Sequence, residues 1–322
     1  MFAIGLSVHK LGGYSPTVPT PFDGSGNLDH AALERLCDRL VRHRAHALVT
    51  CATTAEAPTL TRPEHNEIIR IARAATRGRI PVIAGICANS TSDAVEMARE
   101  AESAGADALQ CVVPYYNKPT QAGLRAHFQT IAGATGLPII LHDEPSRCVS
   151  GLADDTVVEL AENKQFIGLK DATGDIARVP RLRSRLGARF RLLSGHDATA
   201  LAYVACGGNG CISVVANIAP GLCHDMYLAC RHGQFAQAQR LEMALAPLIA
   251  ALFRESNPAP LKHALHLLGI MSPAVRLPLV EPTEQTKAEI ATVISHLCDR
   301  YADGMIETSG VVSPGGIRVA VG

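Results

Sequence analysis

The sequence predicts one (β/α)8 TIM barrel, an α/β fold, with a helical extension at its C-terminal end. Three observations lead there. Eight short apolar runs alternate with longer stretches whose Leu, Ile, Val and Ala residues recur at helical spacing. The apolar runs are continuous, the pattern of parallel strands buried on both faces. No G-x-G-x-x-G follows the first run, which argues against an open dinucleotide-binding sheet. A length of 322 residues suits one such barrel and an appendage.

In order, strands are expected at Ser15–Thr20, Ala47–Cys51, Pro81–Ile86, Asp107–Val113, Pro138–His142, Phe166–Lys170, Phe190–Ser194 and Gly210–Val214. Between them, "LDHAALERLCDRLVRH", "RPEHNEIIRIARAAT", "STSDAVEMAREAESAG" and "QAGLRAHFQTIAGATG" read as amphipathic helices. Asn27 or Asp29, Thr61 with Pro63 and Glu64, and Ser90 or Thr91 ahead of Asp93 suit helix N-termini. Gly105 and Gly136 suit helix ends. After Val214 the strand pattern stops. "GLCHDMYLACRHGQFAQAQRLEMALAPLIAALF", "APLKHALHLLGI" and "TEQTKAEIATVISHLCDRYA" read as helices, the last barrel helix and an extension. The organisation is thus a barrel over residues 1–224, a helical extension over 225–302 and a mobile tail over 303–322, rich in Gly, Ser and Val.

Composition excludes several function classes. Thirty basic residues balance thirty acidic ones, so nothing favours a nucleic acid or an anionic membrane surface as partner. No apolar run approaches the ~20 residues that span a bilayer. The start "MFAIGLSVHKLGG" lacks the apolar core and cleavage site of a signal peptide, so a cytoplasmic location is expected. Ten cysteines are scattered without C-x-x-C, which fits buried small hydrophobes in a reducing compartment better than a disulfide or zinc framework.

In a barrel of this kind the chemistry sits at the C-terminal ends of the strands. Those ends read "TCATTAE", "VVPYYNKP", "ILHDEPSR", "IGLKDATG" and "LLSGHDA". Lys170 closes an apolar strand. Poor hydration there would lower its pKa and leave a free amine able to attack a carbonyl; an ion pair with Asp171 is the competing reading. Thr53 and Thr54 offer hydroxyls and N–H groups for a carboxylate, or cap the next helix. Tyr115 and Tyr116 suit proton transfer or packing. Arg147 offers a planar fork to a carboxylate, or a surface ion pair. Gly207–Gly210 precedes strand 8 and so falls at the opposite, stability face. His142, Asp143 and Glu144 stand together, but strand alternation turns neighbours to opposite sides, which disfavours a shared metal ion. It lets His142 point into the mouth and leaves Asp143 and Glu144 to orient the loop or cap neighbouring groups.

From about Tyr14 to Leu279 the segments "VPTPF", "ATTAEAPTL", "VVPYYNKP", "PSR", "GLKDATG", "GGNGCIS" and "SNPAPLKHAL" together resemble the dihydrodipicolinate synthase/N-acetylneuraminate lyase family of Schiff-base aldolases. "PSR" is similar to the synthase branch. The resemblance implies an imine between Lys170 and pyruvate and condensation of its enamine with aspartate semialdehyde. The product would be 4-hydroxytetrahydrodipicolinate, made for lysine and diaminopimelate biosynthesis with no metal or organic cofactor. It implies that Thr54 binds the pyruvate carboxylate and that Arg147 binds the carboxylate of the second substrate. Gly195 and Ile212 would line the lysine site. Thr53 and Tyr116 would belong to a proton relay, Tyr116 reaching in from a neighbouring subunit of a homotetramer or homodimer. The family normally has tyrosine where this chain has His142, which either replaces it in an altered relay or merely fills its space. Ala52 and Ala55 stand for glycines, Cys148 and Val149 for Thr-Gly, and His196 for Asp. Two other readings stay open: a different 2-oxo-acid aldolase, lyase or dehydratase, and a non-catalytic binding paralogue.

Overall fold

The computed structural model describes residues 11–301. Eight parallel strands are present: β1 (Gly13–Pro16), β2 (Leu48–Thr50), β3 (Val82–Ile86), β4 (Ala108–Val112), β5 (Ile139–Asp143), β6 (Phe166–Asp171), β7 (Arg191–Ser194) and β8 (Gly210–Ser213). Their order around the sheet is β1-β8-β7-β6-β5-β4-β3-β2. A parallel bridge between Thr17 and Val49 brings β1 back to β2 and closes the barrel. The first strand lies earlier than the sequence suggests. Pro16 still pairs with Ser213 and Thr17 N donates to Ser213 O, but beyond them only Thr17 and Val18 meet Val49, and Pro19, without an N–H, cannot extend the ladder.

Helices α1 (His30–Arg42), α2 (Arg62–Thr76), α3 (Thr91–Ser103) and α4 (Gln121–Ala132) follow the first four strands. Asp29 caps α1 by accepting from Ala32 N, Thr61 and Glu64 form a reciprocal capping box on α2, and Ser90 caps α3. Gly105 follows the α3 C-cap at a φ of 95°, as expected of a helix end. Gly136 does not end α4. Gly133 is its C-cap, and the Gly136 N–H instead faces the Glu102 carboxylate.

After β5 come α5 (Pro145–Cys148) and α6 (Asp154–Ala161), then α7 (Arg178–Arg183), α8 (Ala200–Ala205) and α9 (Pro220–Arg231). Residue 225, where the sequence reading divides barrel from extension, lies inside α9. Helices α10 (Phe235–Leu252), α11 (Ala259–Leu267) and α12 (Glu284–Arg300) complete the described chain. The tail expected at 303–322 lies outside the described residues. Among the described residues no helix is long and apolar enough to cross a membrane.

Two apolar clusters form. Strand residues facing outward pack under the helices, and a smaller set, including Val49, Ile83, Ala108, Ile140, Leu193 and Ile212, fills the barrel interior. All ten cysteines are free, most of them buried, in line with the reading of small hydrophobes.

One irregularity positions the chemistry. Ile139 pairs with Phe166 but Ile140 pairs with Gly168, so β6 carries an extra residue at a bulge. Ile167 faces the interior and Leu169 faces the helices. An unbroken period of two from Ile167 would send Lys170 outward. The bulge resets the phase, and Lys170 enters the barrel beside His142, its register partner on β5. Gly168 permits this: a methyl group there would stand 2.6 Å from the Arg191 carbonyl oxygen.

Candidate active site

At the C-terminal mouth, Thr53, Thr54, Arg147, Lys170, Gly195 and Ile212 line one cavity of about 190 Å³. An adjoining cavity of about 290 Å³ shares Thr53, Glu144, Arg147 and Asn257 with it, so the two are lobes of one cleft. Six of the eight residues singled out from the sequence therefore meet at one place.

Lys170 is only 5% exposed, and among the described residues no carboxylate comes within 4.0 Å of its ammonium. Asp171, the competing partner, faces the other side of β6, where it accepts from Thr173 Oγ1 at 2.7 Å and lies 3.4 Å from Arg178. Burial lowers the Lys170 pKa, with the nearby Glu144 charge opposing. Gly195 leaves room for the side chain. A methyl there would sit 3.0 Å from Lys170 Cε and 2.8 Å from the Ala172 methyl.

The threonine pair sits on a single 3-10 turn, Thr53–Ala55, after β2. Thr54 is buried, and its Oγ1 accepts a 2.9 Å hydrogen bond from Asn257 Nδ2. Glu56, next in the chain, adopts a left-handed conformation at φ 58°. Its carboxylate accepts from Lys262 Nζ at 2.5 Å and from Arg276 N at 2.8 Å. This fully buried ion pair ties the threonine turn to α11.

His142 is fully buried and lines neither lobe. Gln110 Nε2 donates toward its Nδ1 at 3.3 Å, and its Nε2 faces Glu144 Oε2 at 3.5 Å without forming a hydrogen bond. A ring accepting at Nδ1 carries its proton on Nε2, toward Glu144. Burial, and then the Lys170 charge, push its pKa down to about 4, so the ring is neutral near pH 7.

Glu144 adds to the sequence reading: it accepts from Ser146 Oγ in the loop and also faces the cleft. Asp143 does orient structure, since it bonds Arg178 at 2.7 Å and accepts from Leu152 N at 3.1 Å. Glu144, besides its loop contact, lines both lobes of the cleft. Burial pushes its carboxyl up, but His142, Lys170 and Ser146 outweigh that and bring the pKa down to about 2. The alternation that turns His142 inward also turns Glu144 inward, two residues on. That signal was present in the sequence.

Tyr116 stands apart. It is 88% exposed, lines neither lobe, and adopts a φ of 72°. Asn257, Gln110 and Phe253 belong to the site or its wall without having been assigned roles from the sequence. His196, in the Asp position, lines the smaller lobe and stacks on Phe253 with ring centroids 6.4 Å apart.

Comparisons with known proteins agree with this geometry. The model of the Dihydrodipicolinate synthetase family matches residues 10–297. A 4-hydroxy-tetrahydrodipicolinate synthase of Methylobacterium radiotolerans is 47% identical over 287 residues, 89% of this chain and 96% of that protein. The synthase of Bradyrhizobium diazoefficiens is 44% identical, with 89% and 97% covered. Among solved structures, the synthase of Methylacidiphilum fumariolicum superposes with a TM-score of 0.88 at 37% identity, covering 91% of this chain and 98% of that one. With the lysine at the barrel mouth, the family match along nearly all its length and relatives of this similarity, the chain belongs to the dihydrodipicolinate synthetase family.

Proposed function

We propose that the chain is a 4-hydroxy-tetrahydrodipicolinate synthase, condensing pyruvate with aspartate semialdehyde through an imine on Lys170. One observation carries the reading. A desolvated amine with no carboxylate partner among the described residues opens into a cleft walled by hydroxyls and an arginine.

The Lys170 amine adds to the pyruvate carbonyl and expels water. The iminium draws electrons from the methyl group, which gives up a proton to form an enamine. The enamine carbon attacks the aldehyde, whose oxygen takes up a proton. The substrate's own amino group then adds to the imine carbon, closes the ring and returns Lys170 as an amine. Thr54 holds the pyruvate carboxylate, positioned by Asn257. Arg147 takes the carboxylate of the aldehyde substrate, and Thr53 passes protons. His142 stands where relatives of this branch carry tyrosine and serves the same relay. Tyr116, exposed on its own subunit, enters the site of a neighbouring copy in a homo-oligomer. No metal or organic cofactor is required by this chemistry.

Borohydride reduction with pyruvate tests the first step. Covalent labelling of Lys170, its loss in Lys170→Ala, and a fall in turnover of at least ~10³-fold are expected. Wild-type protein that stays unlabelled would end the proposal and favour a non-catalytic role. The imidazole groups at His142 and His196 favour one second reading, a different aldehyde partner for the same enamine. An aldehyde screen on labelled-competent enzyme separates the two.

A further inference from the structure

Glu144 and Arg147 lie three residues apart on the turn that follows β5, with Arg147 N donating to the Glu144 carbonyl at 3.0 Å. Both side chains line both lobes of the cleft. They carry opposite charges, yet they do not pair with each other within 4.0 Å. Among the described residues the Arg147 guanidinium has no ion-pair partner. Glu144 Oε1 accepts from Ser146 Oγ at 2.8 Å, while Oε2 faces the neutral His142 ring, whose Nε2 stands 3.5 Å away and makes no hydrogen bond among the described residues. A largely desolvated charge in this position is costly unless a counter-charge meets it.

From this arrangement we infer that Glu144 selects an aldehyde that also bears an ammonium group. Its carboxylate holds the α-ammonium while Arg147 holds the α-carboxylate of an amino-acid aldehyde. The inference rests on the proposed reading of the site and adds a selecting group to it. The order of events fits. In the resting site, beside the neutral His142 ring, the Lys170 ammonium is the charge that favours ionised Glu144. When the pyruvate imine loses its methyl proton, the enamine nitrogen becomes neutral. The arriving ammonium then supplies the positive charge that Lys170 has given up. Held there, it shares with Lys170 the smaller lobe, in which its amine must later attack the imine carbon.

The test compares aspartate semialdehyde with succinate semialdehyde, which lacks only the amino group, following pyruvate consumption by the full-length enzyme. Wild type should prefer the amino-bearing aldehyde in kcat/KM. Glu144→Gln should shrink that preference about 10- to 100-fold, mainly through KM, as expected for loss of a charge-assisted hydrogen bond. Glu144→Asp should retain part of it. An equal loss of kcat with both aldehydes would overturn the inference and assign Glu144 to the proton relay with His142. So would a wild type that does not distinguish the two aldehydes, or a Glu144→Gln variant that keeps the full preference. If pyruvate does not label Lys170 under borohydride, the reading of the site falls as well; if labelling succeeds without aldehyde discrimination, this inference falls alone.

Discussion

Under the proposed relay, His142 is the residue on which turnover in this chain turns. It touches Gln110, Glu144 and the strand that bears Lys170, so it can move a proton without being exposed. If it serves the relay, His142→Phe should slow the reaction by about 10²-fold, the scale of one proton-transfer group, and His142→Tyr should restore rate. A Phe variant as fast as wild type would reduce the ring to packing. Its ionisation has a second consequence. The folded chain holds this ring neutral with a pKa near 4 against an ordinary 6.5, so the unfolded chain binds more protons in between. Stability is full above the ordinary value and falls as pH drops through the window towards 4. The difference amounts to on the order of 3 kcal/mol once both values are passed. Thermal unfolding of His142→Phe should show a flatter acid limb than wild type. A variant with the same acid limb would place the sensitivity elsewhere.

At the scale of elements, the bulge in β6 decides where the amine points. Gly168→Ala should press a methyl against the Arg191 backbone, cost on the order of 1–3 kcal/mol and lower kcat by displacing Lys170. Unchanged melting and turnover would show that the strand yields without cost. The β–α alternation, most caps and the strand-end lysine were legible in the sequence because period and capping are local. The bulge was not, since nothing in "QFIGLKD" marks an extra residue except a glycine with several possible uses. Asn257 was hidden for another reason. It meets Thr54 across 203 residues of chain, and no local pattern reports such a contact. Glu144 keeps the loop role read from the sequence, holding Ser146 Oγ at the start of α5, but it also lines the cleft, which the alternation applied to His142 would have indicated. Gly136 was misjudged as a helix end because Gly133, three residues earlier, also suits one.

For the whole molecule, the proposed reach of the exposed Tyr116 into a neighbouring copy would make activity a property of the assembly rather than of one chain. Lys170→Ala and Tyr116→Phe proteins, each weak alone, should regain activity when mixed under conditions that exchange subunits. In a dimer that exchanges freely, recovery should approach about a quarter of the wild-type rate, because half the pairs are mixed and each holds one complete site. No recovery after proven exchange would mean that Tyr116 acts within its own chain, or not at all.

The barrel's ring of strands is unequal around its circumference. Seven of its junctions are ladders of two to five paired residues, whereas β1 and β2 meet at the single Thr17–Val49 bridge, helped by hydrogen bonds from Val18 N to Val49 O and from His46 N to Tyr14 O. A hoop fastened by one clasp parts at the clasp. Thermal breathing of this cylinder would begin between its first two staves, a few residues before the threonine turn, so the end of the cleft that bears Thr53 and Thr54 would loosen sooner than the wall that carries the lysine.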